Sequence, residues 1–211
     1  MKTDYTLYAI TDSSYTRLSL AEQVEAAISG GAEIIQLREK NISEHEYIEK
    51  AKDVLTVTKK YGIPLIINDN VNVALLSGAD GVHLGQTDGD PKAARQILGE
   101  NAIIGVTAKS VSQAKAAEAA GADYLGSGAM FVSPTKPGAK ALSISELREI
   151  CSSVSIPVCA IGGINADNVT SLRGSGISGI AVVSAIFGSE TVSCITAAAK
   201  SLRAAAEDII K

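Results

Sequence analysis

Gln36, Arg38 and Lys40 alternate along the segment Gln36-Leu37-Arg38-Glu39-Lys40. If the segment is extended, a side-chain period of two places all three on one face. Strands of a parallel sheet are normally apolar on both faces. Two cations and an amide on one face are therefore costly unless an anion meets them. Further along, Asn68-Asp69-Asn70 ends one apolar run, and Val82-His83-Leu84-Gly85-Gln86 leads from the next run to Asp88. Two carboxylates held close repel each other unless a cation lies between them. Mg²⁺ suits such a pair, because it takes one or two carboxylates together with phosphate oxygens and water. Blander readings stand beside these. Each Asp precedes a helical stretch, where Asp is a good N-cap, and Arg38 could pair with a neighbouring Glu at the surface. His83 reads either as a satisfied buried histidine or as a group standing behind the site.

The long stretch 126–138 contains Ser133-Pro134-Thr135-Lys136. Its hydroxyls and its point charge could meet a phosphate or carboxylate, and loops of this length often act as lids; a mobile polar loop is the alternative. Ile161-Gly162-Gly163-Ile164-Asn165 and Val182-Val183-Ser184-Ala185-Ile186 follow two later apolar runs. Gly162 and Gly163 allow close backbone approach, so these segments read as a phosphate cradle or as tight turns. One diphosphate site and one monophosphate site on a common rim would suit an enzyme joining two phosphorylated small molecules.

The elements that must carry these groups follow from periodicity. Apolar, β-branched runs bounded by Gly, Pro, Asn or Asp predict strands at 7–11, 34–38, 64–68, 81–84, 102–106, 124–127, 157–161 and 179–183. Amphipathic spacing predicts helices between them, for instance over 20–29 and 47–61. Ser43 with Glu46, and Ser143 with Glu146, have the spacing of capping boxes. Gly31-Ala32-Glu33, Gly78-Ala79-Asp80 and Gly121-Ala122-Asp123 echo one another where a helix should close and a strand begin. Eight strands and eight helices in 211 residues, about 26 per unit, match a single-domain (β/α)8 TIM barrel of the α/β class spanning 1–211. An open doubly wound sheet is the alternative, but Thr11-Asp12-Ser13-Ser14 is not the glycine-rich turn expected after its first strand. In a barrel the C-terminal strand ends form the active-site rim.

Composition narrows the classes further. Lys and Arg total 19 against 23 Asp and Glu, and with no basic run this argues against nucleic-acid or membrane-surface partners. No apolar stretch approaches the ~18–20 residues that span a bilayer. The N-terminus lacks an apolar signal region, and Cys151, Cys159 and Cys194 read as reduced thiols; both point to the cytoplasm. With only His45 and His83, a histidine-rich metal site is excluded, while oxygen ligation stays open. Aromatics make up 4% of the chain and Trp is absent, so the core is expected to be Ala, Ile, Val and Leu.

Taken in order, these motifs together with Gly105-Val106-Thr107 and Val183-Ser184-Ala185 resemble the thiamin phosphate synthase family over nearly the whole chain. The resemblance implies a Mg²⁺-dependent transferase of thiamin biosynthesis on a (β/α)8 barrel. It would couple an aminopyrimidine methyl diphosphate to a thiazole phosphate carboxylate, releasing diphosphate and CO2, through a short-lived carbocation. It implies that Gln36, Arg38, Lys40 and Asn68 hold the pyrimidine diphosphate, with Leu37 and Glu39 in the same binding segment. Asp69 and Asp88 would bind Mg²⁺. Arg38, Lys40 and Lys136 would act catalytically on the leaving group. Ser133, Pro134 and Thr135 would contact the thiazole, and Gly163, Val183 and Ser184 would cradle its phosphate. Thr107 stands where the family usually has Ser, and Gly138 where it often has Asp. Its partners would be these small molecules, with no nucleic acid or membrane; a homo-oligomer is compatible with the sequence. The expected chemistry must exclude water, so the 128–141 loop is expected to close over the substrates. A related thiazole tautomerase and a non-catalytic phosphate-binding barrel are competing readings. The tautomerase would carry a His base where Lys109 stands, and neither needs the Asp69 and Asp88 pair.

Overall fold

Each of the eight apolar runs forms a strand. The computed structural model describes residues 3–15, 18–132 and 141–210. The strands are Leu7–Ile10 (β1), Ile34–Leu37 (β2), Leu65–Asn68 (β3), Gly81–Leu84 (β4), Ile103–Thr107 (β5), Tyr124–Gly128 (β6), Val158–Ile161 (β7) and Gly179–Val182 (β8). All pair in parallel with their sequence neighbours, and β8 pairs back to β1 to close the barrel. The chain is thus a single-domain (β/α)8 TIM barrel.

Helices Leu20–Ser29 (α1), Glu44–Tyr61 (α2), Val71–Ser77 (α3), Pro91–Leu98 (α4), Val111–Ala119 (α5) and Ile144–Ser153 (α6) cross over between successive strands. Ser143 forms the expected capping box with Glu146, and Ser19 forms one with Glu22. Between β7 and β8 only a 3₁₀ turn, Val169–Leu172, stands in place of a full helix. Left-handed glycines Gly174 and Gly176 follow it directly, where the chain turns too soon to build a second helical turn. After β8 come a short helix, Ser184–Phe187 (α7), and a closing helix, Val192–Ile210 (α8). Among the described residues, no helix is long and apolar enough to cross a membrane.

Strand alternation divides the apolar side chains into two layers. Ile35 and Leu37, Leu65 and Ile67, and Val82 and Leu84 point outward to the helices. Tyr8, Ile34, Ile66, Tyr124, Cys159 and Ala181 point inward, with Tyr5 below them. The outer layer is the aliphatic core that composition predicts. The inner layer is not, because three of the six tyrosines fill the barrel axis. Gly105 makes this possible: a Cβ there would lie 2.1 Å from Cζ of the Tyr124 ring.

The repeated Gly-Ala-acid motif has a structural cause. The Asp80 and Asp123 amides donate to the carbonyls of Leu65 and Ile104 on the preceding strands. Their carboxylates accept the amides of those same residues, at 2.8 and 2.7 Å. The acid thus closes the lower end of the ladder, giving an acceptor to an amide in the first two residues of the strand.

Candidate active site

The upper strand ends surround a cavity of about 500 Å³, within the range usual for small-molecule sites. Gln36, Arg38 and Lys40 all line it. Strand β2 ends at Leu37 rather than at residue 38, yet the alternation carries on past its end. The Arg38 amide donates to Thr11 Oγ1, at 3.1 Å, which keeps the segment extended. The Arg38 guanidinium pairs with Asp12 at 3.1 Å, so its surface partner is an Asp on the first loop and not a Glu. Lys40 is exposed at the mouth.

Leu37 and Glu39 alternate to the other side and do not line the cavity. Leu37 is in the outer core, with no exposed surface. The Glu39 carboxylate, also buried, accepts from Lys50 of α2 at 2.8 Å and from Ser13 at 3.1 Å. Glu39 therefore ties the first two rim loops together. Tyr47 of α2 does similar work one layer down, donating to the Leu37 carbonyl at 2.7 Å.

Asn68, Asp69 and Asp88 line the same cavity. Neither Asp caps a helix. Asn70 accepts from Val73 to cap α3, and Asp90 accepts from Lys92 to cap α4. Released from capping, Asp69 takes a left-handed backbone conformation, φ 65°, which Asp tolerates better than most residues. Its carboxylate accepts from Asn68 Nδ2 at 2.6 Å. Asp88 accepts the Gly85 amide at 2.8 Å, a turn that brings it back over β4. Burial, with Asp88 beside it, pushes the Asp69 carboxyl up from 3.8 to about 6. Two hard oxygen donors in like-charge contact are a fitting partial ligand set for Mg²⁺, with phosphate and water completing the shell. Among the described residues, no three His, Cys, Asp or Glu side chains converge as metal ligands.

Across the cavity, Gly162 and Gly163 hold positive φ, 98° and 67°. A Cβ on Gly163 would lie 2.7 Å from the carbonyl oxygens of Phe131 and Val132. Val183 and Ser184 reach the cavity beside them. The first amides of α7 have no intrahelical acceptor, as at any helix start. Ser133, Pro134, Thr135, Lys136 and Gly138, together with most of the loop expected to close, lie outside the described residues.

The floor sets Gln36, His83 and Thr107 beside two side chains that sequence reasoning missed, Tyr8 and Tyr124. Tyr8 and Tyr124 line the cavity from below, their hydroxyls 2.7 Å apart. Gln36 Nε2 donates to Tyr8 at 2.7 Å. His83 lies between Tyr124 and Thr107, with each ring nitrogen 3.0 Å from a hydroxyl. Burial holds its pKa down to about 4, so the imidazole is neutral. Gln86 Nε2 donates to the Thr107 carbonyl at 2.6 Å. The available signal was two tyrosines at inward strand positions of an aromatic-poor chain.

This arrangement sets two clusters suited to anions on one rim, over a neutral polar floor. The sequence model described as "TMP-TENI: Thiamine monophosphate synthase" matches residues 7–186. The thiamine-phosphate synthase of Ruminiclostridium cellulolyticum is 50% identical over 192 residues, covering 90% of this chain and 91% of that protein. That of Clostridium tetani is 48% identical over 190 residues, covering 90% and 91%. The thiamine phosphate pyrophosphorylase structure from Pyrococcus furiosus superposes with a TM-score of 0.89 at 39% identity, covering 99% of this chain and 98% of that one. The chain belongs to the thiamine monophosphate synthase family.

Proposed function

We infer that this chain is a thiamine-phosphate synthase, a transferase that joins an aminopyrimidine methyl diphosphate to a thiazole phosphate carboxylate with Mg²⁺ assistance. One observation carries the reading. Asp69 and Asp88 share a single cavity with Arg38, Lys40 and Asn68, opposite the Gly162–Gly163 turn. A phosphate-binding barrel without catalysis has no use for the first cluster. A tautomerase would need a base after β5, and exposed Lys109 stands there.

The bond from the pyrimidine methylene to diphosphate breaks first, with electrons from the aminopyrimidine ring filling in behind it. The thiazole nitrogen then captures the methylene cation, and the carboxylate leaves as CO2, its bonding electron pair staying on the ring carbon, which takes a proton from solvent. No protein nucleophile takes part, so the residues bind, orient and screen. Asp69 and Asp88 would hold Mg²⁺, which when bound supplies positive charge to the leaving diphosphate. Arg38 and Lys40 add two more cations on that side. Asp12 anchors one edge of the Arg38 guanidinium at 3.1 Å and leaves the remaining N–H groups for the ligand. Asn68 and Gln36 contribute neutral donors beside them. Gly163, Val183 and Ser184 hold the thiazole phosphate through close backbone approach. Thr107 offers its hydroxyl to the pyrimidine side. Lys136, Ser133, Pro134 and Thr135 fill the remaining binding roles that the family resemblance gives them.

The test is purified protein with both substrates, with and without chelator. Thiamin phosphate and diphosphate should form in equal amounts, and chelation should abolish both. Tautomerisation of the thiazole without metal, and no coupling, would refute the reading.

A further inference from the structure

The cavity floor is one hydrogen-bond chain drawn from five strands. It runs from Gln36 on β2 to Tyr8 on β1 at 2.7 Å, then to Tyr124 on β6 at 2.7 Å. It continues to His83 on β4 at 3.0 Å and ends at Thr107 on β5, another 3.0 Å on. All five residues line the cavity. Room for the chain is built in. Tyr124 occupies the space left by Gly105, and a Cβ on Gly126 would stand 3.1 Å from Cε1 of His83.

Donor accounting gives the chain a direction. Gln36 Nε2 donates, so Tyr8 Oη accepts at that end. Tyr8 is fully buried, and its own proton needs an acceptor, which Tyr124 Oη supplies. Tyr124 must then donate onward, to Nδ1 of His83. A neutral imidazole that accepts at Nδ1 carries its proton on Nε2. It therefore donates to Thr107 Oγ1. The Thr107 hydroxyl accepts that bond on one lone pair and keeps its own proton to donate, and the cavity it lines is where a ligand can meet that donor. With the opposite direction, the buried Tyr8 proton would face a donor amide, at the loss of a buried hydrogen bond.

We propose that Tyr8, Tyr124 and His83 are positioning residues: their chain locks His83 as the Nε2–H tautomer and presents the Thr107 hydroxyl to the substrate as a hydrogen-bond donor. A hydroxyl that is otherwise free to rotate becomes a fixed donor, selecting a ligand with an acceptor atom there, such as an unprotonated ring nitrogen. The activity arm of the test rests on the proposed function; the tautomer arm does not.

The tautomer is read by ¹⁵N NMR of the full chain labelled in its histidines. Only His45 and His83 contribute, and exposed His45 is identified by His45→Gln. The two-bond couplings should show His83 with bare Nδ1 and protonated Nε2. In Tyr124→Phe the ring should shift toward a mixture of tautomers. A wild-type His83 protonated at Nδ1 would overturn the proposal. For activity, Thr107→Ala should lower kcat/KM about tenfold, the scale of one hydrogen bond, and Thr107→Ser should restore it. Tyr124→Phe should also lose up to about tenfold, yet the double variant should fall no further than Thr107→Ala alone. Additive losses of about a hundredfold would mean that Tyr124 does not act through Thr107. If Tyr124→Phe does not fold, Tyr8→Phe breaks the adjoining link and takes its place in the same cycle. A wild-type protein that did not couple substrates would refute the proposed function, and the tautomer alone would then decide the chain.

Discussion

Replacing Asp69 by Asn should make the metal-free protein more stable while it destroys the active site. In the folded chain the Asp69 carboxyl sits at about 6 instead of 3.8, raised by burial and by Asp88. An acid whose pKa rises on folding binds its proton more tightly in the native state. Its ionisation therefore works against folding. Stability falls as pH rises from the unfolded pKa through the folded one, and stays reduced above it. The difference between 3.8 and about 6 is worth ~3 kcal/mol at full strength. Asp69 is open to the cavity, and solvent screening brings the figure down to ~1 kcal/mol. For a chain of this length that is a rise in Tm of about 2–4 °C. The assay is thermal unfolding of wild type and Asp69→Asn in chelator at pH 8 and pH 5. The variant's advantage should be full at pH 8 and roughly half as large at pH 5, because ionisation of the folded wild type is then largely suppressed. Adding Mg²⁺ should raise the wild-type Tm and narrow the gap, since a ligand that binds only the folded state stabilises it. A variant less stable than wild type at pH 8, or an advantage that grows toward pH 5, would refute the like-charge account of the pair.

Arg38→Ala and Asp69→Ala should each cut coupling by at least ~10²-fold in kcat/KM, the scale of losing a preorganised electrostatic group; wild-type rates in Asp69→Ala would remove the metal assignment. Lys50→Met strands the buried Glu39 carboxylate and should lower stability by about 2 kcal/mol in urea titration, with turnover of the folded fraction retained, because Glu39 does not line the cavity. Gly163→Ala should raise KM for the thiazole phosphate more than it lowers kcat, since the added methyl meets the Phe131 and Val132 carbonyls at the cradle; unchanged steady-state constants would count against a phosphate there. Gly105→Ala should destabilise the barrel by about 1–3 kcal/mol through collision with Tyr124, visible as a lowered urea midpoint.

The barrel and the location of its rim were decided locally. Eight apolar runs, each closed by Gly, Pro, Asn or Asp, can form strands without reference to one another, and parallel strands with helical crossovers leave few ways to close. The period-two alternation was enough to bring Gln36, Arg38 and Lys40 to one cavity and to send Leu37 away from it. The acids ahead of α3 and α4 were harder. Asp69 and Asn70 are both good caps, as are Asp88 and Asp90, and spacing does not choose between neighbours. The choice fell to Asn70 and Asp90 because the chain turns at left-handed Asp69, and between Gly85 and Asp88, before each helix starts. Glu39 lies beyond the end of β2; the continued alternation turns it away from the cavity, but that it is buried there against Lys50, on a different element, is set by the packing of α2. The floor lay furthest from view. Tyr8 and Tyr124 are 116 positions apart, and neither is close to His83 in sequence. They meet only because closure of the sheet turns every inward side chain toward one axis, a consequence of the whole ring of strands that no single segment carries.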